Sequence, residues 1–208
     1  MKIKILNLYA GIGGNRKLWQ DVDVTAIEIN PKIAKIYQDF FPNDKVIVAD
    51  AHQYLLDHYK EFDFIWSSPP CPTHSRINNL NYIKEEQGQT PKYPDMKLYE
   101  EIIFLKHWFK GEWCVENVVS YYEPLIKPFR RDSHYFWSNF HIGNSKDVKR
   151  FIREHICDGI PNHGFNIPDG ISSTFKEQIL NNAVKPETGL YIFNCAFKIR
   201  QIQLNNLN

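Results

Sequence analysis

The sequence has little net charge, no paired cysteines and no long apolar run. Its 208 residues include 25 Lys and Arg against 24 Asp and Glu, a net charge of +1, which disfavours a protein that coats nucleic acid indiscriminately. The four cysteines are widely spaced and form no Cys-x-x-Cys pair, a usage typical of a reducing compartment rather than of a disulfide framework. Every uncharged apolar run stays short of the ~18 residues that a membrane span needs.

The same composition indicates an ordinary globular chain. Hydrophobic residues make up 43% and charged residues 24%, values that exclude an intrinsically disordered protein. The first strand-like run begins at residue 2, which leaves no room for a signal peptide. We therefore expect a cytoplasmic, intracellular monomer with no membrane partner, built as one domain with a small appendage.

Short strand patterns alternate with helical patterns through the first half of the chain. The predicted strands are residues 2–8, 22–27, 45–48, 62–66 and 112–115, and the predicted helices are 15–20, 31–40, 52–59 and 97–109. This alternation predicts βαβ units and a parallel sheet, the doubly wound (Rossmann-like) α/β class. The later elements are a strand at 135–140 and helices at 174–183 and 186–201. We expect a main domain at 1–140, a small insertion at 141–180, and a C-terminal segment at 181–208 that packs back on the sheet.

A cluster of glycines follows the first predicted strand. Gly11, Gly13 and Gly14 lie in the turn at 9–14, where glycine lets the backbone pass close to a ligand beside the start of the next helix. Because ligands of doubly wound sheets bind at the carboxyl ends of the strands, this turn is a candidate binding loop. A tight turn without a ligand is the alternative, since a glycine cluster alone is a weak signal.

Acidic residues end the next two predicted strands. Glu28 follows the second strand, where a carboxylate can accept hydrogen bonds from the ribose hydroxyls of a nucleoside. Asp50 follows the third strand and is a candidate partner for an adenine amino group. The alternatives are a solvated loop carboxylate for Glu28 and the N-cap of the next helix for Asp50.

A cysteine flanked by prolines follows the fourth predicted strand. Three nearby prolines fix the backbone around Cys71, so that the sulfur is presented from a rigid turn as a nucleophile. A buried structural cysteine is the alternative. Glu116 and Asn117 end the fifth strand on the same edge of the sheet. Their convergence with a nucleophile and a ligand crevice favours a catalytic site over plain loop residues.

Taken in order, these motifs resemble those of the DNA (cytosine-5) methyltransferases. They follow the family's order and resemble its cofactor, nucleophile and late cofactor-pocket motifs. The matching stretches are Tyr-Ala-Gly-Ile-Gly-Gly at 9–14, Glu28, Asp50, Pro-Cys at 70–71, Glu-Asn-Val at 116–118 and Asn-Ala-Val at 182–184.

The resemblance implies a Rossmann-like methyltransferase that takes S-adenosylmethionine as cofactor, needs no metal, and acts on a flipped cytosine of double-stranded DNA. It implies that Cys71 attacks C6 of the cytosine while Glu116, next to Asn117, shares a proton at N3. The residues implied to bind the cofactor are Tyr9, Ala10, Gly11, Gly13, Gly14, Glu28, Ile29, Asp50, Ala51, Pro69, Asn182 and Val184. The small size fits a phage or mobile-element member that protects its DNA from restriction.

The chain departs from the family pattern on both sides of the predicted fifth strand. Pro72 stands where the family often has Gln after the Pro-Cys, and no Gln-x-Arg-x-Arg motif is found. Residues 130–139 instead resemble an Arg-Tyr-Phe-Trp-Gly-Asn stretch of animal de novo DNA methyltransferases, with Asp132 and His134 at the arginine positions. We predict that the neighbouring Arg131 supports the cytosine.

Target recognition has little sequence available to it. The segment at 141–180 is short for a target-recognition domain, which predicts a short or degenerate target. Residues 127–153 carry seven Lys and Arg against two Asp, a net charge of +5, so the rest of the chain carries −4. This distribution suits phosphate contacts at one edge, and a solvated helix face is the alternative. The His and Cys residues at 155, 157 and 163 match no strong zinc pattern, so no metal site is predicted.

Three other functions stay open. An amino-methyltransferase that acts on adenine N6 or cytosine N4 uses a Ser/Asp-Pro-Pro-aromatic motif, which residues 68–71 resemble in three positions. A tRNA-modifying cytosine-5 methyltransferase shares the fold and the motifs. A catalytically silent DNA-binding relative is favoured by the missing arginine pair and disfavoured by the intact Cys71 and Glu116.

Overall fold

The computed structural model describes residues 2–76, 93–131, 133–143, 164–165, 167–168 and 170–205, with the backbone alone for 198–205. The strands are β1 (Ile3–Leu8), β2 (Val22–Ile27), β3 (Lys45–Ile47), β4 (Phe64–Ser67), β5 (Glu112–Val118), β6 (Phe129–Arg131) and β7 (His134–Ser138). They form a seven-stranded sheet in the order β3-β2-β1-β4-β5-β7-β6. Neighbours from β3 to β5 are parallel, whereas β7 is antiparallel to both β5 and β6.

Helices connect and cover these strands. They are α1 (Pro31–Phe40), α2 (Ala51–His58), α3 (Lys97–Trp108), α4 (Ser173–Asn181) and α5 (Pro186–Asn205). Local signals start them: the Asn30 side chain caps α1, whose first position is Pro31, and Asp50 and Ser172 cap α2 and α4. Parallel strands joined by helices confirm the prediction of a doubly wound α/β fold.

Alternate side chains of the sheet pack against helices on both faces. Phe64 and Trp66 of β4 join a buried cluster with Phe193 of α5, whereas Ile65 joins a second cluster with Ile102 of α3. Burial of each such side chain contributes about 1.5–3 kcal/mol. Because the strands from β3 to β5 run in the same direction, the polar groups at the ends of β1, β2, β4 and β5 are gathered at the carboxyl edge of the sheet.

The helix predicted at 15–20 is wrong. The segment forms successive turns, in which the Arg16 N–H donates to the Gly13 carbonyl and the Trp19 N–H to the Arg16 carbonyl. The Trp19 ring is buried and stacks on Phe193 of α5. Its indole N–H donates to the carbonyl of Gly189 in the same helix at 3.2 Å. Packing against α5 therefore overrides the local helical pattern.

The antiparallel end of the sheet extends further than predicted. Three-residue β6 was not predicted, because so short an edge strand shows no hydrophobic period. β7 begins at His134, one residue earlier than predicted, and ends at Ser138, two residues earlier than predicted. Residues 144–163, which carry much of the predicted recognition segment and basic stretch, lie outside the described residues. Within the described part of the chain, no helix combines the length and the apolar character that crossing a membrane requires.

Candidate active site

A crevice of about 150 Å³ opens at the carboxyl edge of the parallel strands. It brings together six of the twelve residues predicted to bind the cofactor: Tyr9, Glu28, Ile29, Asp50, Ala51 and Pro69. They come from the segments that follow β1, β2, β3 and β4, so the parallel order of the strands is what unites them. The other residues that line the crevice were not among those predicted to bind the cofactor: Pro70, His74, Asp95, Lys97 and Leu98.

The glycine turn packs against the late motif. Gly13 has a φ of +84°, a conformation that L side chains rarely adopt. A Cβ on Gly14 would collide with the backbone carbonyl of Val184, so only glycine permits this approach of the two segments. The predicted cofactor residues that lie outside the crevice lining are Ala10, Gly11, Gly13, Gly14, Asn182 and Val184. Their contacts with a cofactor stay predictions.

The two acidic residues of the crevice also hold local backbone. The Glu28 carboxylate accepts N–H bonds from Gly11 at 3.0 Å and from Asn30 at 2.9 Å, which ties the glycine turn to the end of β2. Asp50 accepts the Gln53 N–H at 2.8 Å and is the N-cap of α2, as the alternative reading predicted. Since a carboxylate oxygen has two lone pairs, both side chains keep capacity for the hydroxyl and amino groups of a nucleoside.

A buried glutamate that sequence reasoning missed ties the crevice walls together. The Glu101 carboxylate, 0% exposed, accepts hydrogen bonds from the hydroxyls of Tyr9 and Ser67, both at 2.6 Å. It also contacts His52 Nδ1 at 3.1 Å. These partners stand at the ends of β1 and β4 and in α2. One side chain of α3 therefore fixes three segments around the crevice.

Glu101 also sets the protonation of its partners. Its hydrogen bond raises the pKa of His52 against the opposing effect of burial. Burial and the Glu101 charge raise the pKa of Tyr9 well above its ordinary value, which keeps this hydroxyl a donor. The available sequence signal is a carboxylate on the buried stripe of α3, because a buried charge is costly without partners.

Cys71 begins a short turn that is held from two sides. Its backbone carbonyl accepts the His74 N–H at 2.9 Å. The Asn117 side-chain amide donates to the Pro69 carbonyl at 2.9 Å, which fastens the proline-rich segment to the end of β5. Burial, and then the negative charge of Glu116, raise the pKa of the Cys71 thiol. The resting sulfur is therefore a thiol.

Glu116 is a buried carboxyl group suited to carry a proton. It is 6% exposed, and burial raises its pKa from 4.5 to about 7, against the effect of a hydrogen bond with Ser68. Ser68 in turn accepts a hydrogen bond from the Trp66 indole at 2.8 Å. A group that titrates near neutral pH can both give and take a proton in a reaction.

One basic side chain lies beside Glu116, that of His134. Its Nε2 lies 3.6 Å from Glu116 Oε1. The guanidinium of Arg131, the residue predicted for the cytosine, lies 4.8 Å from the centre of the Tyr191 ring in a cation–π contact. Arg131 and His134 are register partners in β6 and β7. A role for Arg131 at the cytosine stays a prediction.

Comparison with known proteins identifies the first half of the chain. The model of the C-5 cytosine-specific DNA methylase family matches residues 3–103, which include the glycine turn, Glu28, Asp50 and Cys71. Residues 3–103, the methylase segment, are similar to the C-5 cytosine-specific DNA methylases. The resemblance predicted from the motifs is confirmed for the methylase segment, and S-adenosylmethionine is the cofactor that the family implies.

The relatives differ in how much of the chain they cover. Two tRNA (cytosine(38)-C(5))-methyltransferases match, one from Spodoptera frugiperda at 30% identity over 100 residues and one from Homo sapiens at 25% over 118 residues. These matches cover 45% and 48% of this chain but only 30% of each relative. A solved structure of an Entamoeba histolytica methyltransferase has a TM-score of 0.59 over 95% of this chain and 98% of its own, at 13% identity. That likeness supports the Rossmann-like fold alone.

The crevice of the methylase segment fits S-adenosylmethionine in its chemistry. Glu28 and Asp50 offer acceptors for ribose hydroxyls and an adenine amino group, and Ile29, Pro69 and Leu98 offer apolar surface for a base. Among the described residues, no group of three or more His, Cys, Asp and Glu side chains is placed to hold a metal ion.

Proposed function

We propose that the protein transfers a methyl group from S-adenosylmethionine to C5 of a flipped cytosine in double-stranded DNA. One observation carries the proposal: Asn117, the neighbour of the buried Glu116 in β5, holds the Pro69 carbonyl two residues before Cys71, at the sheet edge that also forms the crevice. Cytosine C5 is a poor nucleophile in its aromatic ring. A thiol that adds to C6 and an acid that protonates N3 together activate it.

Cys71 acts as the nucleophile. The thiol first gives up its proton to water, and the resulting thiolate attacks C6, so that an Sγ–C6 bond forms and the ring electrons shift from the C5–C6 double bond towards N3. C5 thereby becomes enamine-like and nucleophilic. Because the negative charge of Glu116 raises the pKa of the thiol, protonation of Glu116 favours the thiolate.

Glu116 acts as the proton carrier. In its protonated form it donates to N3 as the Sγ–C6 bond forms, which neutralises the charge that develops on the ring. Its carboxyl group also accepts a hydrogen bond from the N4 amino group. Its pKa of about 7 keeps enough of the acid form at neutral pH. Once C5 has taken the methyl group that the cofactor would supply, it loses its own proton to water. The C–H electrons re-form the C5–C6 double bond, the thiolate leaves C6, and the N3 proton returns to Glu116.

Asn117 is a positioning residue, since its amide holds the Pro69 carbonyl two residues before the nucleophile. Glu28, Asp50 and Pro69 hold the cofactor in the crevice. When bound, S-adenosylmethionine supplies an electrophilic methyl group. The flipped base itself costs a few kcal/mol of stacking and pairing energy, which contacts with the nucleic acid must offset.

A second candidate substrate is tRNA. It is favoured by the names of the two curated relatives, whereas DNA is favoured by the description of the matching family. The +5 stretch at 127–153 suits the phosphates of either nucleic acid. Both substrates use the same chemistry at Cys71 and Glu116. The nucleic acid that receives the methyl group is therefore the measurement that separates them.

The test is product analysis on both nucleic acids. The protein is incubated with S-adenosylmethionine and either duplex DNA or tRNA, and the nucleosides are identified by mass spectrometry. We expect 5-methylcytosine in DNA, loss of the product in Cys71→Ala, and retention in the control Cys195→Ala. Methylation of tRNA alone would move the substrate to RNA. N4-methylcytosine or N6-methyladenine would contradict the covalent mechanism, and no product from a folded protein would indicate a silent relative.

A further inference from the structure

A buried histidine three residues after the nucleophile has one ring nitrogen without a partner. His74 lines the crevice and is 1% exposed. Its Nε2 atom is buried and makes no hydrogen bond of good geometry with the described residues, although the Asp95 backbone lies close enough to raise the pKa of the ring. Buried polar atoms are almost always hydrogen-bonded, so an unpaired nitrogen on a residue that lines the crevice points to a partner that the ligand brings.

The other ring nitrogen is held by a chain of tyrosine hydroxyls. His74 Nδ1 lies 2.6 Å from the Tyr122 hydroxyl, which lies 3.4 Å from the Tyr99 hydroxyl. The Leu125 backbone N–H donates to Tyr99 at 3.2 Å. Tyr99 in turn donates to Tyr122, and a chain that continues in this direction has Tyr122 donate to His74 Nδ1. This polarity puts the proton of a neutral His74 on Nε2.

The protonation states of these groups agree with that arrangement. Burial lowers the pKa of His74 and outweighs the opposing effects of the Asp95 carboxylate and backbone, which keeps the ring neutral at neutral pH. Burial raises the pKa of Tyr122, so its hydroxyl stays protonated and can donate.

We infer that His74 is a cofactor-binding residue, which donates its Nε2–H to an acceptor atom of S-adenosylmethionine. The inference rests on the proposed function, which assigns the crevice to this cofactor. The same residue is tied to the nucleophile, because its backbone N–H donates to the Cys71 carbonyl at 2.9 Å and its carbonyl accepts the Tyr121 N–H at 3.1 Å. His74 therefore links occupancy of the crevice to the turn that presents Cys71.

The test measures binding of S-adenosylhomocysteine by calorimetry, with no nucleic acid present. Loss of one hydrogen bond to a buried donor predicts about tenfold weaker binding in His74→Ala, with partial recovery in His74→Gln, whose amide also donates. Tyr122→Phe should weaken binding a few-fold, because without the Tyr122 hydroxyl the proton of His74 is no longer held on Nε2. The matched control is Tyr121→Phe, which removes a neighbouring hydroxyl that takes no part in the hydrogen bonds from Tyr99 through Tyr122 to His74. This variant should bind S-adenosylhomocysteine as the wild type does.

A spectroscopic readout keeps the inference testable if His74→Ala fails to fold. Nitrogen-15 NMR of the wild-type protein should identify the Nε2–H tautomer of His74, and its Nε2 signal should shift on addition of S-adenosylhomocysteine. The inference would be overturned if His74→Ala bound S-adenosylhomocysteine as tightly as the wild type does, or if the NMR signals showed the Nδ1–H tautomer. Either result would leave the proposed function intact. A wild-type protein that binds neither S-adenosylhomocysteine nor S-adenosylmethionine would overturn both.

Discussion

His134 Nε2 lies 3.6 Å from Glu116 Oε1, across the antiparallel strands β7 and β5. The strand register pairs His134 with Val118 and Glu116 with Phe136, so the two side chains meet diagonally on one face of the sheet. Glu116 is the proposed proton carrier, and His134 stands at one of the positions where the family resemblance expects an arginine. The histidine is therefore placed to orient the carboxyl group, while Arg131 packs on Tyr191.

Replacing His134 should slow methyl transfer more than replacing Arg131. We expect His134→Ala to lower the single-turnover rate by about fivefold, because the 3.6 Å contact is a partly exposed ion pair and not a hydrogen bond. Arg131→Ala should instead lower thermal stability through the lost contact with Tyr191. Affinity for S-adenosylhomocysteine should be unchanged in both variants. If His134→Ala kept the full single-turnover rate and Arg131→Ala lost most of it, Arg131 and not His134 would be the residue that supports the reaction.

Glu116 should destabilise the folded protein as the pH rises. Burial raises its pKa from 4.5 to about 7, so the folded state binds the proton more tightly than the unfolded chain. Its favourable contribution is complete below pH 4.5 and is lost as the pH rises through about 7. Glu116→Gln, which mimics the neutral acid, should match the wild type near pH 4.5 and exceed its free energy of unfolding by up to about 3 kcal/mol at pH 8. Urea unfolding at the two pH values measures this difference, and an equal gain at both would contradict the assignment.

The charge of Glu116 should also be visible in the reactivity of Cys71. Burial is the larger cause of the raised pKa of the thiol and Glu116 the second, so Glu116→Gln should lower the pKa without restoring its ordinary value. The rate of alkylation of Cys71 by iodoacetamide, followed against pH by peptide mass spectrometry, should then shift to lower pH. The exposed Glu123→Gln is the control and should leave the profile in place. If the wild type and Glu116→Gln gave identical pH profiles, the charge of Glu116 would have no effect on the Cys71 thiol, and the prediction would be wrong.

Glu101 should be required for the shape of the crevice. Glu101→Gln leaves the donors of Tyr9 and Ser67 imperfectly paired, at a cost of about 1–3 kcal/mol in unfolding free energy, and should weaken binding of S-adenosylhomocysteine. It should also lower the pKa of His52, measured by NMR titration, because the hydrogen bond to Glu101 is the main cause that raises it. Glu100→Gln is the matched control, since Glu100 lies 3.8 Å from His52 but is 62% exposed. Equal effects of the two variants would contradict the network.

The parallel sheet was predictable because its strands are buried on both faces. Residues 22–27 form β2 as predicted, and the polar residues after the strands fall at one edge because parallel strands share their direction. The turns at 15–20 were not predictable, since contacts of Trp19 with a distant helix decide them. β6 is too short for its period to be read.

Motif order pointed to half of the site and missed its supports. Cys71, Glu116 and six crevice residues were predicted by type and position, and the structure gathers the six around one cavity. Glu101 reaches Tyr9 across 92 residues of sequence, and His74 reaches Tyr122 across 48. Such pairings depend on how helices pack on the sheet, which no local pattern encodes. His134 was seen only as a departure from an arginine position, and the strand register gives it a partner.

Covalent capture of the nucleophile tests the central claim most directly. Duplex DNA and tRNA, each carrying 5-fluorocytosine at the target position, are incubated with the protein and S-adenosylmethionine and resolved on denaturing gels. Fluorine at C5 cannot leave as a proton, so the Sγ–C6 bond should persist as a stable protein–DNA complex that is absent from Cys71→Ala and present in Cys195→Ala. A folded wild-type protein that methylates cytosine yet forms no such complex on either nucleic acid would contradict the covalent role of Cys71.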